Sequence, residues 1–273
     1  VDAGQTNRSL AVRLHHRRGK SGPDAANSAI AVSSLFGLWA AGRTAVMLNF
    51  TQGPGPLASA LITAEVKTII TSRRFLESAG LMPMVSSLSA KLVFVEDTNF
   101  KWFDKAAALL WKPTPAHCET PAALVFTSGS EGKPKGVALS HRNFMANIQQ
   151  CTCHFQVNED DILFTPLPMF HAFGLCVGVL LPILSGLRLF IYTTPLHPTI
   201  IPELIYDSRA TMVVGTDTFV AAWGKNAHPY DFSTVHPLRL GADNVKPTTR
   251  EPFNGEEGVR ITDGYGASDP LPA

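Results

Sequence analysis

Along most of this chain, short runs rich in β-branched and aromatic residues alternate with segments patterned for helix, and that alternation restricts the fold more than any other feature. It is the signature of an α/β architecture, layered and mostly parallel, with helices on both faces of the sheets. The strands expected are 44–48, 68–71, 92–95, 122–127, 137–139, 187–192, 211–215, 238–241 and 259–262. Between them lie helical segments such as 28–41, ended by Gly42 where a left-handed C-terminal cap belongs, and 140–150, which Ser140 can cap. In the second of these Phe144, Ile148 and Cys151 recur at helical spacing and predict one buried stripe. Pro113, Pro115 and Pro121 mark a connector, so we expect a first lobe over 1–115 and a second over 116–273.

Composition removes several classes of function. Hydrophobic residues make up 45% and charged residues only 16%, against a usual charged share of about 25%, which excludes a disordered chain. Lys and Arg total 23 against 22 Asp and Glu, a net charge of +1, so no global field favours nucleic acid or an anionic membrane. Four cysteines are too few for a disulfide framework in 273 residues, which suits a reducing, cytoplasmic setting. Cys151, Cys153 and His154 lack the spacing of a zinc knuckle, and the cysteines read as small buried hydrophobes. Residues 1–20 hold Arg8, Arg13, Arg17, Arg18 and Lys20 and no apolar core, so no secretory signal is expected there. Residues 162–187 contain no Asp, Glu, Lys or Arg, enough to span a bilayer core of about 30 Å. Pro166, Pro168, Pro182 and His171 argue instead for a strand, a turn and a buried helix, with no transmembrane span.

The most informative residues are 127–136, TSGSEGKPKG, set between two expected strands. Gly129, Gly132 and Gly136 let the backbone turn and expose N–H donors, Thr127, Ser128 and Ser130 add hydroxyls, and Lys133 and Lys135 add cations. Together they describe a cradle for polyphosphate, although composition alone also fits a plain polar hairpin. It is not a Walker A loop, since Pro134 follows Lys133 and Gly136 follows Lys135. Nor is it a nucleophile elbow, which requires Gly at the position of Ser128.

LVFTSGSEGKPKGVALSH, residues 124–141, closely resembles the signature loop of the AMP-forming acyl-adenylate synthetases. PLPMFHAFG (166–174), TMVVGT (211–216), LGAD (240–243) and DGYGASD (263–269) follow in that family's order. GLWAAGR (37–43), MLNF (47–50) and PLHPTIIPELIYD (195–207) look most like the acyl-ACP synthetase part of bifunctional acyl-ACP synthetase/2-acylglycerophosphoethanolamine acyltransferases. The resemblance implies the large domain of an adenylate-forming enzyme. That enzyme activates a fatty-acid-like carboxylate with ATP and Mg²⁺, releases pyrophosphate, and passes the acyl group to acyl carrier protein or CoA.

By the same resemblance Thr127, Ser128, Gly129, Ser130, Gly132 and Lys135 hold the β and γ phosphates. Gly241, Ala242 and Asp243 lie along the adenine, with Tyr265 and Gly266 at its face. Ser268 touches the α-phosphate and Asp269 is the Mg²⁺ ligand, standing where the family usually has Thr and Glu. Asp is shorter by one methylene, and Mg²⁺ demands near-ideal geometry, so a plain solvated Asp269 stays open beside a working ligand. His171 matches a position beside the acyl tunnel, whereas residue type alone makes it a core histidine. The uncharged run 170–187 would wall that tunnel.

The resemblance further implies a ribose-binding Asp, a hinge and a small C-terminal domain bearing a Lys, all expected to lie beyond these 273 residues and so to be absent from them. The first strand, near 19–28, is expected to be lost or shortened, and the strand before Gly241 trimmed. The alternative to an enzyme fragment is a decayed, non-catalytic paralogue that binds nucleotide or acyl groups. The location expected is the cytoplasm, extending to a peripheral place at the inner face of a membrane.

Overall fold

The computed structural model describes residues 28–98, 108, 110–127, 135–155, 157–236, 238–241, 244–255 and 258–264. It divides into two compact units between Arg142 and Asn143. The division falls beyond the glycine-punctuated segment and not at the proline connector, because strands on both sides of residue 115 share one sheet.

The first unit contains α1 (Ala29–Ala40), β1 (Ala45–Met47), α2 (Pro54–Thr63), β2 (Thr68–Thr71), α3 (Arg73–Ser78), α4 (Met82–Ser86), β3 (Lys91–Phe94), β4 (Pro121–Thr127) and β5 (Lys135–Ser140). β1 runs parallel to β4, β4 pairs antiparallel with β5, and β2 with β3 forms a separate parallel pair. Ser28 caps α1 by accepting the Ala31 N–H. The far end closes as a Schellman motif: Gly42 sits at φ 65°, its N–H reaches the Trp39 carbonyl, and the Arg43 N–H reaches that of Leu38. The Trp39 indole then donates to the Ala122 carbonyl at 2.7 Å, tying α1 to β4.

His141 meets Trp39 edge-on with centroids 5.4 Å apart, and burial lowers its pKa. The folded state thus favours the neutral imidazole, and as pH falls below about 6.5 the unfolded chain takes up a proton that the native state resists. Stability contributed by this site is complete above that pH and declines below it. Melting temperatures at about pH 7.5 and about pH 5.5 should show a drop that His141→Gln makes smaller; an unchanged drop would remove His141 as its source.

The second unit is built on a five-stranded sheet in the order β10-β9-β8-β6-β7, every pair parallel. α5 (His141–Phe155) enters it, followed by β6 (Ile162–Thr165), α6 (Ala172–Leu175), a π-helical turn (Cys176–Leu180), α7 (Leu181–Leu184) and β7 (Arg188–Ile191). Then come α8 (Ile200–Ser208), β8 (Met212–Gly215), α9 (Asp217–Gly224), β9 (Leu238–Leu240), α10 (Pro247–Gly255) and β10 (Ile261–Asp263). In α5 Phe144 and Ile148 are buried and Cys151 half-buried, as the stripe predicts.

The core gathers Phe164, Ile201, Ile205, Val220, Trp223, Phe232, Leu238 and Phe253. Buried strands without polar alternation, such as β8, are what a sheet covered on both faces requires. Every residue of the π turn is buried, and a methyl on Gly178 would stand 2.6 Å from the Thr165 hydroxyl, so helix backbone rests directly on β6. No helix among the described residues is long and apolar enough to cross a membrane. The segment 19–27, where a first strand was expected to be lost, lies outside the described residues. β9 is three residues long, as short as the sequence suggested.

Candidate functional site

Two groups of expected site residues are described, one in each unit. In the first unit β4 and β5 form a hairpin whose last matched pair is Thr127 opposite Lys135. The cradle segment therefore leaves and rejoins the sheet at one point, with a threonine and a lysine paired in register at its mouth. Gly136 permits this closure: a side chain there would stand 3.2 Å from the Phe126 ring lying across the hairpin. Among the described residues Lys135 has no carboxylate within ion-pair distance. An exposed lysine at a hairpin mouth fits an anionic ligand, and ATP is such a ligand. Ser128, Gly129, Ser130 and Gly132 lie outside the described residues.

In the second unit the segments following β6, β8, β9 and β10 gather at the carboxyl ends of parallel strands, where open α/β sheets bind ligands. His171 begins α6: its N–H donates to the Pro168 carbonyl at 3.2 Å, and its carbonyl accepts from Leu175 at 2.9 Å. Its imidazole keeps solvent access, leans on Phe170 with centroids 4.6 Å apart, and is held below the usual histidine pKa by partial burial. It is thus a neutral donor or acceptor near pH 7, not a fixed cation. Gly174 fixes the turn, since a methyl there would overlap the Pro168 carbonyl oxygen.

Gly241 is buried, and its N–H donates to the Gly215 carbonyl at 3.1 Å. The Phe173 ring occupies the space beside it, 2.8 Å from where a side-chain carbon would begin. The structure therefore brings the His171 segment and Gly241 together through Phe173. Gly264, the second residue of the expected DGYGASD element, donates to the Leu240 carbonyl at 2.7 Å. Ala242, Asp243, Tyr265, Gly266, Ser268 and Asp269 lie outside the described residues.

Sequence reasoning passed over two charged groups at this sheet. Arg239, on β9, is buried with its guanidinium 4.0 Å above the Phe155 ring, donating to the Phe155 carbonyl at 3.0 Å and to Thr262 at 3.3 Å. Burial lowers its pKa, and the bond to the last carbonyl of α5 supplies a cation where the helix dipole favours one. A single Arg inside the apolar run LRLG was the available signal. Asp217, at the start of α9, is the second, and its buried carboxylate follows directly on TMVVGT. Cys176 is a poor nucleophile: burial pushes its thiol up to about 12, and it donates to Asn147 Oδ1 at 3.0 Å. Cys153, expected to be a buried hydrophobe, is exposed on α5, and Cys118 is exposed as well.

The hairpin mouth of the first unit, which pairs a threonine with a lysine, is suited to phosphate. In the second unit, taken by itself, a glycine at a sheet end beside an aromatic ring and a neutral imidazole is suited to a flat apolar group. The Escherichia coli (strain K12) medium-chain fatty-acid–CoA ligase is 29% identical over 198 residues, covering 70% of this chain and 32% of that protein. ATP-bound MatB from Rhodopseudomonas palustris superimposes with a TM-score of 0.74 at 20% identity, covering 97% of this chain and 53% of that one. The fatty acyl-adenylate ligase from L. pneumophila, in complex with acyl adenylate and pyrophosphate, gives a TM-score of 0.76 at 22% identity, over 96% and 48% of the two chains. At those identities the two structures establish the fold, the α/β large domain of adenylate-forming enzymes. The chain spans about a third of the E. coli ligase and about half of each structure. The model of the AMP-binding enzymes matches residues 9–273, nearly the whole length, and the chain belongs to the AMP-binding enzyme family.

Proposed function

We propose that this chain is the nucleotide- and carboxylate-binding part of an AMP-forming acid–thiol ligase, one that activates a fatty-acid-like carboxylate as acyl-AMP for transfer to acyl carrier protein or CoA. The observation that carries the reading is the β4–β5 register, which sets Thr127 opposite Lys135 at the mouth of the cradle within a chain of this family. Lys135 and Thr127 would bind the β and γ phosphates, and the donors of 128–132 would complete the set. Mg²⁺, when bound, neutralises phosphate charge as pyrophosphate departs, and Asp269 is the residue the resemblance assigns to it. His171 and Phe173 would orient the acyl carboxylate beside Gly241. The chemistry asks of the protein mainly alignment and charge stabilisation.

A lipid-like acyl chain is supported by the uncharged residues 162–187, whose π turn is buried throughout, since each sequestered CH₂ gains about 0.8 kcal/mol. The acyl-ACP synthetase affiliation rests on the wording of 37–43, 47–50 and 195–207. Such a ligase would work in the cytoplasm, reaching its lipid substrates at the inner face of a membrane.

Calorimetric titration with ATP tests the binding reading, and pyrophosphate exchange with a fatty acid tests the chemistry. Nucleotide binding without exchange, in a verified fold, would favour the decayed binding module. Lys135→Ala should weaken ATP about tenfold or more, as loss of a charge-assisted contact does. AMP, lacking the outer phosphates, should change by less than about twofold. Equal loss for both ligands would remove Lys135 from the phosphate site.

A further inference from the structure

Asn147 and Cys151 lie four residues apart on α5 and so share one face of that helix. Cys176, the first residue of the π turn, meets the same face. Its thiol donates to Asn147 Oδ1 at 3.0 Å, and the Cys151 sulfur stands 3.9 Å from that same oxygen. The two sulfurs are thus no farther apart than the sum of those distances. Beside Cys151, the Thr152 hydroxyl lies 3.3 Å from that of Ser185, just past α7. α5 therefore meets the segment of α6, the π turn and α7 at two separated points.

The surroundings of the two thiols differ. Cys176 is buried, whereas Cys151 is half-buried and keeps solvent access. Burial raises the Cys151 pKa, and the charge of Arg239 pulls it back. Burial first, and then the neighbouring Cys151 sulfur, raise that of Cys176. An accessible thiol beside a cation, with a second thiol behind it, is the arrangement of an attacking and a resolving cysteine. It is not that of a metal site, because the guanidinium repels a cation and, among the described residues, no group of three His, Cys, Asp or Glu side chains could hold one. Cys153 is exposed and, two residues from Cys151, does not share its face. Cys118 is exposed in the first unit.

We propose that Cys151 and Cys176 form a thiol–disulfide exchange site, which a low-molecular-weight disulfide such as glutathione disulfide oxidises to a cross-link that pins the π turn to α5. Cys151 attacks one sulfur of the reagent: a bond from Cys151 to glutathione forms, the reagent's S–S bond breaks, and one glutathione leaves with the proton of Cys151. Cys176 then attacks the Cys151 sulfur, and the second glutathione leaves with the proton of Cys176. Two electrons pass from the thiol pair to the reagent, which ends as two molecules of glutathione. Asn147 is half-buried, so its amide can turn to solvent as the sulfurs close. In a reducing setting the pair stays open. No nucleotide or acyl ligand enters this step, so it is independent of the ligase reading.

The test treats the folded chain with excess glutathione disulfide, blocks the remaining thiols with N-ethylmaleimide in urea, and maps chymotryptic peptides without reduction. Trypsin would not separate the cysteines, since no Lys or Arg lies between Arg142 and Arg188. Cys153→Ser is the background, so that a linked peptide identifies Cys151. The expected product is a Cys151–Cys176 disulfide, with the exposed Cys118 carrying glutathione. Cys176→Ser should stop with glutathione on Cys151, and in Cys151→Ser the Cys176 thiol should stay free. The first measurement keeps both Cys151 and Cys176 and so does not depend on how these two variants fold. With the cross-link closed, amide hydrogen exchange over 172–184 should slow about tenfold, and dithiothreitol should restore it. Cys151 and Cys176 both left free after Cys118 has reacted would overturn the proposal, as would glutathione that stays on Cys151 while Cys176 is intact. A cross-link that leaves exchange over 172–184 unchanged would overturn the pinning.

Discussion

Trp223→Ala should destabilise the second unit by about 3–5 kcal/mol, a large share of the stability of an ordinary domain. Trp223 is fully buried at the centre of the core, and its indole N–H donates to the Pro195 carbonyl at 3.1 Å. Truncation removes the largest side chain of the cluster, leaves a cavity beside Val220, Phe232 and Phe253, and strands a carbonyl without its donor. The ring also lies against Gly215, where a methyl would stand 3.1 Å from it. The same Gly215 carbonyl receives the Gly241 N–H, so loss of the ring should loosen the start of the segment after β9 as well as the core. Urea denaturation followed by far-UV circular dichroism measures the change. Trp223→Phe, which keeps most of the volume, should cost distinctly less, and a loss below about 1 kcal/mol for the alanine variant would contradict this account of the core.

Gly174→Ala is the second large effect. The added methyl would run into the carbonyl oxygen of Pro168, and backbone cannot swing aside as a side-chain tip can. The turn 166–174 must open, and overpacking of this kind costs about 3 kcal/mol or more. His171 sits inside that turn and its N–H is fastened to the same Pro168 carbonyl, so the acyl-dependent activity proposed above should fall further than the melting temperature alone would explain. Gly178→Ala is the comparison. There the obstacle is the Thr165 hydroxyl, which can rotate, so the penalty should be smaller. If the two alanine variants melted alike, the distinction between backbone and side-chain obstruction would fail.

What could be read from the sequence was what local chemistry dictates. β2 appears at 68–71 as expected, and α1 starts at its Ser28 cap and stops at Gly42. β5 runs from Lys135, not from Val137, because pairing across the hairpin overrides the weak strand preference of Gly136. α5 continues past residue 150 to Phe155, where the Thr152 hydroxyl donates back to the Ile148 carbonyl and Arg239 donates to the final carbonyl. That partner lies 84 residues away and leaves no local signal.

The π turn was illegible for the same reason, since it depends on Gly178 resting over Thr165. In the site, Thr127 and Lys135 stood out because hydroxyl, glycine and ammonium cluster in sequence. Asp217 did not, because its partner is a main-chain N–H 29 residues on.

The strand order of the second unit also bears on how the molecule is made. β6 comes first, β7 then docks on one side of it and β8 on the other, and β9 and β10 extend the β8 side in turn. Each strand thus leaves the ribosome after the neighbour it joins, so the sheet can grow outward during synthesis without waiting for a distant segment. Parallel pairing is ordinarily slow because long loops must close first. Here the order of translation matches the order of assembly, which shortens the time any growing edge stays open to another nascent chain.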